Sequence, residues 1–364
     1  MAARMTTNEL GAVVIGCGGM GAFTRPATRA ALPPGWLPLA HAEALATLEG
    51  VRLVGLCDAD AAARERAAVH YGVPAFEAAP AMLAALRPDV ATIATRTAPR
   101  ADLLVACVQA GVRGVHAEKP LCRSLADAAR VQAAFAAADA SFTYGALRRY
   151  HAAYRRAAAM LAAGAIGTLR QIVVGFGRRT ALWTHTHSID AMLFFAGGAK
   201  ALYTQGAVAV DAADVRLDAA PPLVDADPTI EMGYVAFEGG VSGVITQLDG
   251  FDVLLAGSAG TLRIAADGTR IDIETADADS GGYLTRRETI PTVADASGTQ
   301  IALAELAAAV RNGQPERSAL AAAIDGQRIL FAILLSGLRG GTRMAPGDVP
   351  EAFCVTGRSG TLYA

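Results

Sequence analysis

Val13-Val14-Ile15-Gly16-Cys17-Gly18-Gly19-Met20-Gly21 is an apolar run that ends in Gly-x-Gly-x-x-Gly within the first two dozen residues. Glycines at that spacing let a strand turn tightly into a helix and bring bare backbone N–H groups up to a pyrophosphate. The stretch therefore reads as a dinucleotide cradle made by Gly16, Gly18, Gly19, Met20 and Gly21. Its expected companion is a second apolar strand ending in an acid about 20 residues on, where a carboxylate binds ribose hydroxyls. Val51-Arg52-Leu53-Val54-Gly55-Leu56-Cys57-Asp58 supplies both, but Asp58 lies 37 positions beyond Gly21. The segment Phe23–Leu39, with Pro26, Pro33, Pro34, Gly35, Trp36 and Pro38, has the length and composition of an insertion that accounts for the excess.

The alternation of short apolar strands with helical segments continues to about Gly145, which argues for parallel β-α-β units. Helices are expected at 41–49, 61–71, 100–110 and 125–138, and strands at 90–95, 114–117 and 141–144. The pattern then changes to strand after strand, 168–176, 199–210, 230–237, 241–247, 252–256, 261–265 and 270–274, with turn signals at Glu238-Gly239-Gly240 and Asp267-Gly268. Strands without intervening helices imply an antiparallel sheet. Helices at about 153–163, 301–312 and 320–338 complete the reading, and Asp211–Asp227, rich in Asp, Ala and Pro, reads as a mobile loop. The fold class is α/β: a doubly wound parallel sheet over residues 1–146, then a second domain over 147–364 with a large, mostly antiparallel sheet.

The 364 residues are 53% hydrophobic, enough for a core in each of two domains. A net charge of −2 provides no global field for nucleic acid or an anionic membrane. The apolar run Ile329–Leu335 is far short of a bilayer span, so a cytoplasmic protein without membrane or nucleic-acid partners is expected. Five scattered cysteines include no C-x-x-C pair and suggest no disulfide framework.

Ligands of open α/β sheets sit at the carboxyl ends of the strands. Glu118-Lys119-Pro120 follows the strand 114–117, which delivers a lysine to that edge, where an ammonium favours a developing alkoxide. Thr95 and Glu118, at neighbouring strand ends, are further candidate cofactor contacts, with Lys119 itself. Trp183-Thr184-His185-Thr186-His187-Ser188-Ile189-Asp190 forms a second constellation, in which His187 suits proton acceptance near neutral pH. The alternative is a pair of histidines packed at a domain junction. His185-x-His187 is also a metal-ligand spacing, but Ile189 and Asp190 stand where binuclear hydrolases carry an acid and a histidine, so no metal is expected. Of the arginine pairs, only Arg148 is given a substrate-binding role.

These residues together resemble the glucose-fructose oxidoreductase / inositol dehydrogenase family (Gfo/Idh/MocA) over nearly the whole chain. The resemblance rests on Gly16–Gly21, His41-Ala42-Glu43-Ala44-Leu45, Asp58, Ala110-Gly111 leading into Glu118-Lys119-Pro120, Gly164-Ala165-Ile166-Gly167, and His187 with Asp190. It implies a Rossmann domain followed by an α/β domain whose open sheet makes homodimers or homotetramers. It further implies hydride transfer between NAD or NADP and a secondary alcohol or ketone of a sugar, cyclitol or polyol, with Lys119 and His187 as catalytic pair and a cis Lys119–Pro120 bond. Departures from the family pattern fall in the substrate pocket. Trp183 replaces an aspartate four residues before His187, and His185 replaces a glycine two before it. Arg96-Thr97 stands for Pro-Asn, Arg100 for a histidine, and Ala146-Leu147-Arg148 keeps only the arginine of Asn-x-Arg. Trp183, His185, Asp190 and Arg148 are thus the candidate substrate contacts. Asp58 favours NAD because a carboxylate repels a 2′-phosphate, while Arg64 and Arg66 keep NADP open. Two other readings remain: a non-catalytic, dinucleotide-binding regulator, and a glycoside-cleaving relative with tightly held NAD.

Overall fold

The computed structural model describes residues 9–33 and 35–358. Pro34 of the insertion, and the ends of the two expected domains at 1–8 and 359–364, lie outside the described residues. Six strands, β1 (Leu10–Ile15), β2 (Val51–Cys57), β3 (Ala75–Phe76), β4 (Val90–Ile93), β5 (Gly114–Ala117) and β6 (Ser141–Tyr144), pair in the order β3-β2-β1-β4-β5-β6. Every pairing is parallel. Helices α1 (Pro26–Ala31), α2 (His41–Leu45), α3 (Ala61–Tyr71), α4 (Ala79–Leu86), α5 (Arg100–Gln109) and α6 (Leu125–Ala138) connect them. The strand order reverses between β1 and β4, which sets the ligand crevice at the carboxyl ends of those strands. Burial on both faces explains why these strands read as continuous apolar runs.

After α7 (Ala152–Ala162) come β7 (Leu169–Gly175), β8 (Arg179–Thr180), α8 (Thr186–Phe195) and β9 (Ala201–Ala209). Then follow β10 (Val215–Arg216), β11 (Leu223–Val224), β12 (Thr229–Phe237), β13 (Ser242–Ile245), β14 (Asp252–Gly257), β15 (Gly260–Ala265), β16 (Arg270–Ala276) and β17 (Leu284–Pro291). Nine of these make one sheet, β17-β16-β15-β14-β7-β13-β12-β8 with β9 beside β12. It is antiparallel except where β13 runs parallel to β7. The sheet packs against α8 and α10 (Ser318–Leu338), whose Ile329–Leu335 segment fills the core with Ile172, Val174, Ile245 and Val253.

Three elements depart from the sequence reading. The segment Asp211–Asp227 is not a featureless loop: β10 and β11 pair with each other and with β18 (Cys354–Val355) in a small sheet. Helix α9 (Gly298–Asn312) and the start of α10 turn back onto the first domain, where Leu303, Leu306 and Val310 pack with β1 and Leu320 and Ile324 with α6. The first core therefore takes in helices from far beyond residue 146. Finally, α10 is long and apolar enough to cross a bilayer, but 67% of its most apolar window is buried inside the protein.

Candidate active site

The glycine loop leaves no room for a side chain at two of its glycines. A side chain at Gly21 would place Cβ 1.6 Å from the Gly16 carbonyl oxygen, and Gly16 has φ +99° with the Ala94 backbone 2.8 Å from a would-be Cβ. Gly18, by contrast, has nothing within 4 Å on that side, so its backbone is open to approach. The His41 amide donates to the Met20 carbonyl and the Ala42 amide to the Gly21 carbonyl, both at 2.8 Å. Helix α2 thus resumes where the loop stops, and residues between are looped out, as the late position of Asp58 required. The Asp58 carboxylate closes the cradle: it accepts from the Cys17 amide at 2.6 Å and the Asp60 amide at 2.9 Å, while Arg64 donates to the Asp58 carbonyl. Thr95 sits at the end of β4, its carbonyl held by Arg100.

The looped-out segment docks on the second domain. Trp36 Nε1 donates to the Asp267 carbonyl at 2.9 Å, and its ring stacks on His151 at 4.9 Å. Ser297 and Thr299, at the start of α9, donate to the Pro38 and Leu39 carbonyls. Trp36, Leu39 and Leu147 form a small core against which Met20 of the glycine loop packs. The insertion is therefore a strap joining the cradle to the sheet domain.

At the end of β5, Lys119 is 7% exposed and its bond to Pro120 is cis. Its Nζ donates to the Trp183 carbonyl at 2.8 Å and lies 3.3 Å from the centre of the Trp183 ring. Burial pushes the ammonium down to about 7; Arg100 and Arg148 add to that, and Glu118 and Asp227 oppose it. Glu118 is itself buried, accepting from the Lys119 amide at 3.3 Å and lying 3.4 Å from His41 Nε2. Although burial alone would raise its carboxyl, the His41 hydrogen bond and neighbouring positive charge hold it below the usual range. His41, His116 and Glu118 each present a possible ligand atom within 4.8 Å of the other two; His185 and His187 are in no such cluster among the described residues.

The facing half of the site comes from a π-turn, Ala181–His185, that runs into α8. Such wide turns favour functional positions. His187 lies one residue into α8, and its Nδ1 is buried without a hydrogen-bond partner. Burial, then the charges of Arg148 and Lys119, hold its basicity well below the ordinary histidine value. His185 turns instead to Ser188, 3.0 Å away, and burial lowers it to about 4. The Asp190 carboxylate receives the fork of Arg149, Nε at 3.1 Å. Arg148 makes a two-point pair with Asp267, at 2.9 and 2.7 Å, and its guanidinium faces the rings of Trp36, Phe176 and Phe251. All four candidate substrate contacts are thus engaged by protein partners, and Trp183, 37% exposed, has the most open surface.

Several residues that build the site had no role in the sequence reading. Arg100 is buried and ties the ends of β4 and β5 together through the Thr95 and Pro120 carbonyls. Asp267, Arg149 and Asp227 are partners of expected residues, reached only through tertiary pairing.

Residues 10–146 match the family model GFO_IDH_MocA, oxidoreductase family, NAD-binding Rossmann fold. The D-apiose dehydrogenase of Paraburkholderia graminis is 33% identical over 129 residues, 35% of this chain and 34% of that protein. The match thus spans about a third of the length of this curated relative. Among solved structures, the aldose-aldose oxidoreductase of Caulobacter crescentus, complexed with glycerol, aligns with TM-score 0.72 at 17% identity, over 93% of this chain and 99% of that one. Levoglucosan dehydrogenase in complex with NADH and levoglucosan gives the same figures: TM-score 0.72, 17% identity, 93% and 99% coverage. The myo-inositol 2-dehydrogenase of Lactobacillus plantarum gives TM-score 0.66 at 18% identity, with 93% and 99% coverage. These likenesses extend the shared fold through the second domain.

Proposed function

We propose that the protein is an NAD(P)-dependent dehydrogenase or reductase acting on a secondary alcohol or ketone of a sugar, cyclitol or related polyol, with Lys119 and His187 as its catalytic pair. The observation that supports this reading is the buried Lys119 at the end of β5, whose charge reaches the buried imidazole of His187 with its unpartnered Nδ1. Gly16, Gly18, Gly19, Met20 and Gly21 would hold the pyrophosphate, Asp58 the ribose, and Thr95, Glu118 and Lys119 the nicotinamide end. The bound cofactor supplies a two-electron acceptor or donor. His187, kept uncharged by burial and two nearby cations, offers its lone pair to a substrate hydroxyl and takes the proton in the oxidative direction. The Lys119 ammonium binds the same oxygen and stabilises the negative charge that grows there. In the reductive direction the same groups return the proton. Trp183 offers an aromatic surface of the kind that stacks on a sugar's apolar face.

Asp58 favours NAD over NADP on charge grounds, with Arg64 and Arg66 as the groups that would admit a 2′-phosphate. The sugar and cyclitol names of the similar proteins support the substrate class. The sheet face bearing Leu202, 52% exposed, and Met232, 41% exposed, is the surface for a homodimer or homotetramer. The test is absorbance at 340 nm with purified protein, NAD or NADP and a panel of polyols and keto-sugars in both directions. Cofactor-dependent turnover of at least one of them is expected. Dinucleotide binding without turnover across the panel would favour a regulatory role, and product without net NADH an internal redox cycle.

A further inference from the structure

The first three amides of the π-turn do not donate to the Thr180 side chain, the residue placed to cap them. They are satisfied instead by the connection between β11 and β12. The Ala181 amide donates to the Pro228 carbonyl at 2.8 Å, the Leu182 amide to Asp227 Oδ1 at 2.8 Å, and the Trp183 amide to Asp227 Oδ2 at 3.1 Å. Thr229 pairs with Thr180 in the sheet, which fixes this connection against the turn. Asp227 is 9% exposed and occupies the positive end of the helical segment that carries Trp183 and His187. The carbonyl of Trp183, the residue whose amide Asp227 holds, is in turn the acceptor of Lys119 Nζ.

We infer that Asp227 is a positioning residue for the catalytic pair: it caps the turn presenting the Trp183 carbonyl to Lys119 and supplies the buried countercharge that keeps Lys119 an ammonium. The charged and titratable groups facing Lys119 are Glu118 beside it, Arg100 from α5, Arg148 from the turn after β6, His187 from α8 and Asp227. Glu118 and Asp227 are the two carboxylates that favour the ammonium, so loss of one tips the lysine toward the free amine. Burial raises Asp227's own carboxyl, while hydrogen bonds from the Leu182 amide, the Thr180 side chain and the Trp183 amide, and the charge of Lys119, hold that rise back.

What Lys119 does in turnover rests on the oxidoreductase reading, but the inference is tested without turnover. Lys119 and Lys200 are the only lysines in the chain, so protein carrying Lys200→Arg and grown with 13Cε-lysine gives one side-chain NMR signal, whose pH titration reports the Lys119 ammonium directly. Asp227→Asn, which keeps shape and loses charge, should lower the Lys119 midpoint by about one pH unit, and Asp227→Glu should return most of it. In the parent chain, the Asp227 carboxylate 13C signal should inflect at the Lys119 midpoint, a measurement that needs no folded Asn variant. An unchanged midpoint in a folded Asp227→Asn protein, or no inflection in the parent, overturns the inference. Absence of NADH production by the parent protein across the substrate panel, alongside a shifted midpoint in Asp227→Asn, would overturn the dehydrogenase reading and leave Asp227's role intact.

Discussion

The Arg148–Asp267 pair is a buried ion pair at the site, and its removal has a size that follows from its surroundings. The side chains are 7% and 14% exposed, Arg148 donates at two points, and Asp267 also accepts from the Tyr154 hydroxyl at 3.1 Å. Asp267 has φ +52°, a left-handed conformation that asparagine tolerates and alanine does not. Asp267→Asn therefore isolates the charge. It leaves the Arg148 guanidinium buried among Trp36, Phe176 and Phe251 without a counter-ion, at a cost of about 3–5 kcal/mol. For a domain of this size that lowers Tm by roughly 6–20 °C. Asp267→Ala should cost about 1 kcal/mol more, from the backbone alone. Adding Arg148→Met to Asp267→Asn removes the stranded charge and leaves a thioether among three rings, so the double variant should regain most of the lost stability. Thermal and urea unfolding of the four proteins decide it. An Asp267→Asn Tm within 2 °C of the parent, or a double variant less stable than the single one, would refute the reasoning. The folded double variant also tests Arg148 as a substrate contact, since that role requires a KM raised about tenfold or more.

Gly21→Ala forces Cβ onto the Gly16 carbonyl, so NADH titration by fluorescence should find binding lost or weakened more than about 100-fold in a protein whose second domain still melts normally. Trp36→Ala removes the strap's anchor to Asp267 and His151 and should cost about 3–5 kcal/mol, with new proteolytic cleavage between residues 23 and 39 as the local signature. Because burial lowers Lys119 from 10.5 to about 7, the unfolded chain binds the extra proton between those pH values. The group's penalty is thus full below pH 7 and fades as pH rises toward 10.5. Lys119→Met should accordingly stabilise the protein at pH 6, by about 1–3 kcal/mol after its lost contacts with Trp183, and the gain should vanish near pH 10. In the active protein, the step that needs the ammonium should weaken as pH rises through about 7, visible as a limb in kcat/KM.

The first domain was legible because its signals are local: strand, glycine loop and carboxylate recur at fixed spacing, and even the insertion announced itself through the late Asp58. Lys119 was legible for the same reason, since a strand end places it. A compositional sign was also available in retrospect: a chain that uses arginine almost everywhere keeps one of its two lysines at that strand end. What escaped were partners fixed by long-range pairing. Asp267 read only as a turn residue, although it lies 119 positions from the arginine it neutralises. Asp227 was hidden in a segment whose other aspartates, 211, 214, 218 and 225, have the look of a solvated loop, and only the pairing of Thr229 with Thr180 brings it to the turn. Trp36 signalled an unusual insertion, but its landing site on His151 and Asp267 depends on how the two domains meet. Likewise, the sequence puts α9 within the second domain, while its apolar face, Leu303, Leu306 and Val310, lies in the core of the first domain beside β5.

The account's central claim is that Lys119 and His187 act together on a substrate oxygen above a bound dinucleotide. It is tested most directly by comparing the parent protein with Lys119→Ala and His187→Ala in two measurements on the same samples, NADH binding by fluorescence and turnover at 340 nm with a substrate found in the panel. Each variant should bind cofactor within a few-fold of the parent and lose turnover by about 100-fold or more. Undiminished turnover in either variant, with cofactor still bound, would remove that residue from the chemistry and contradict the claim.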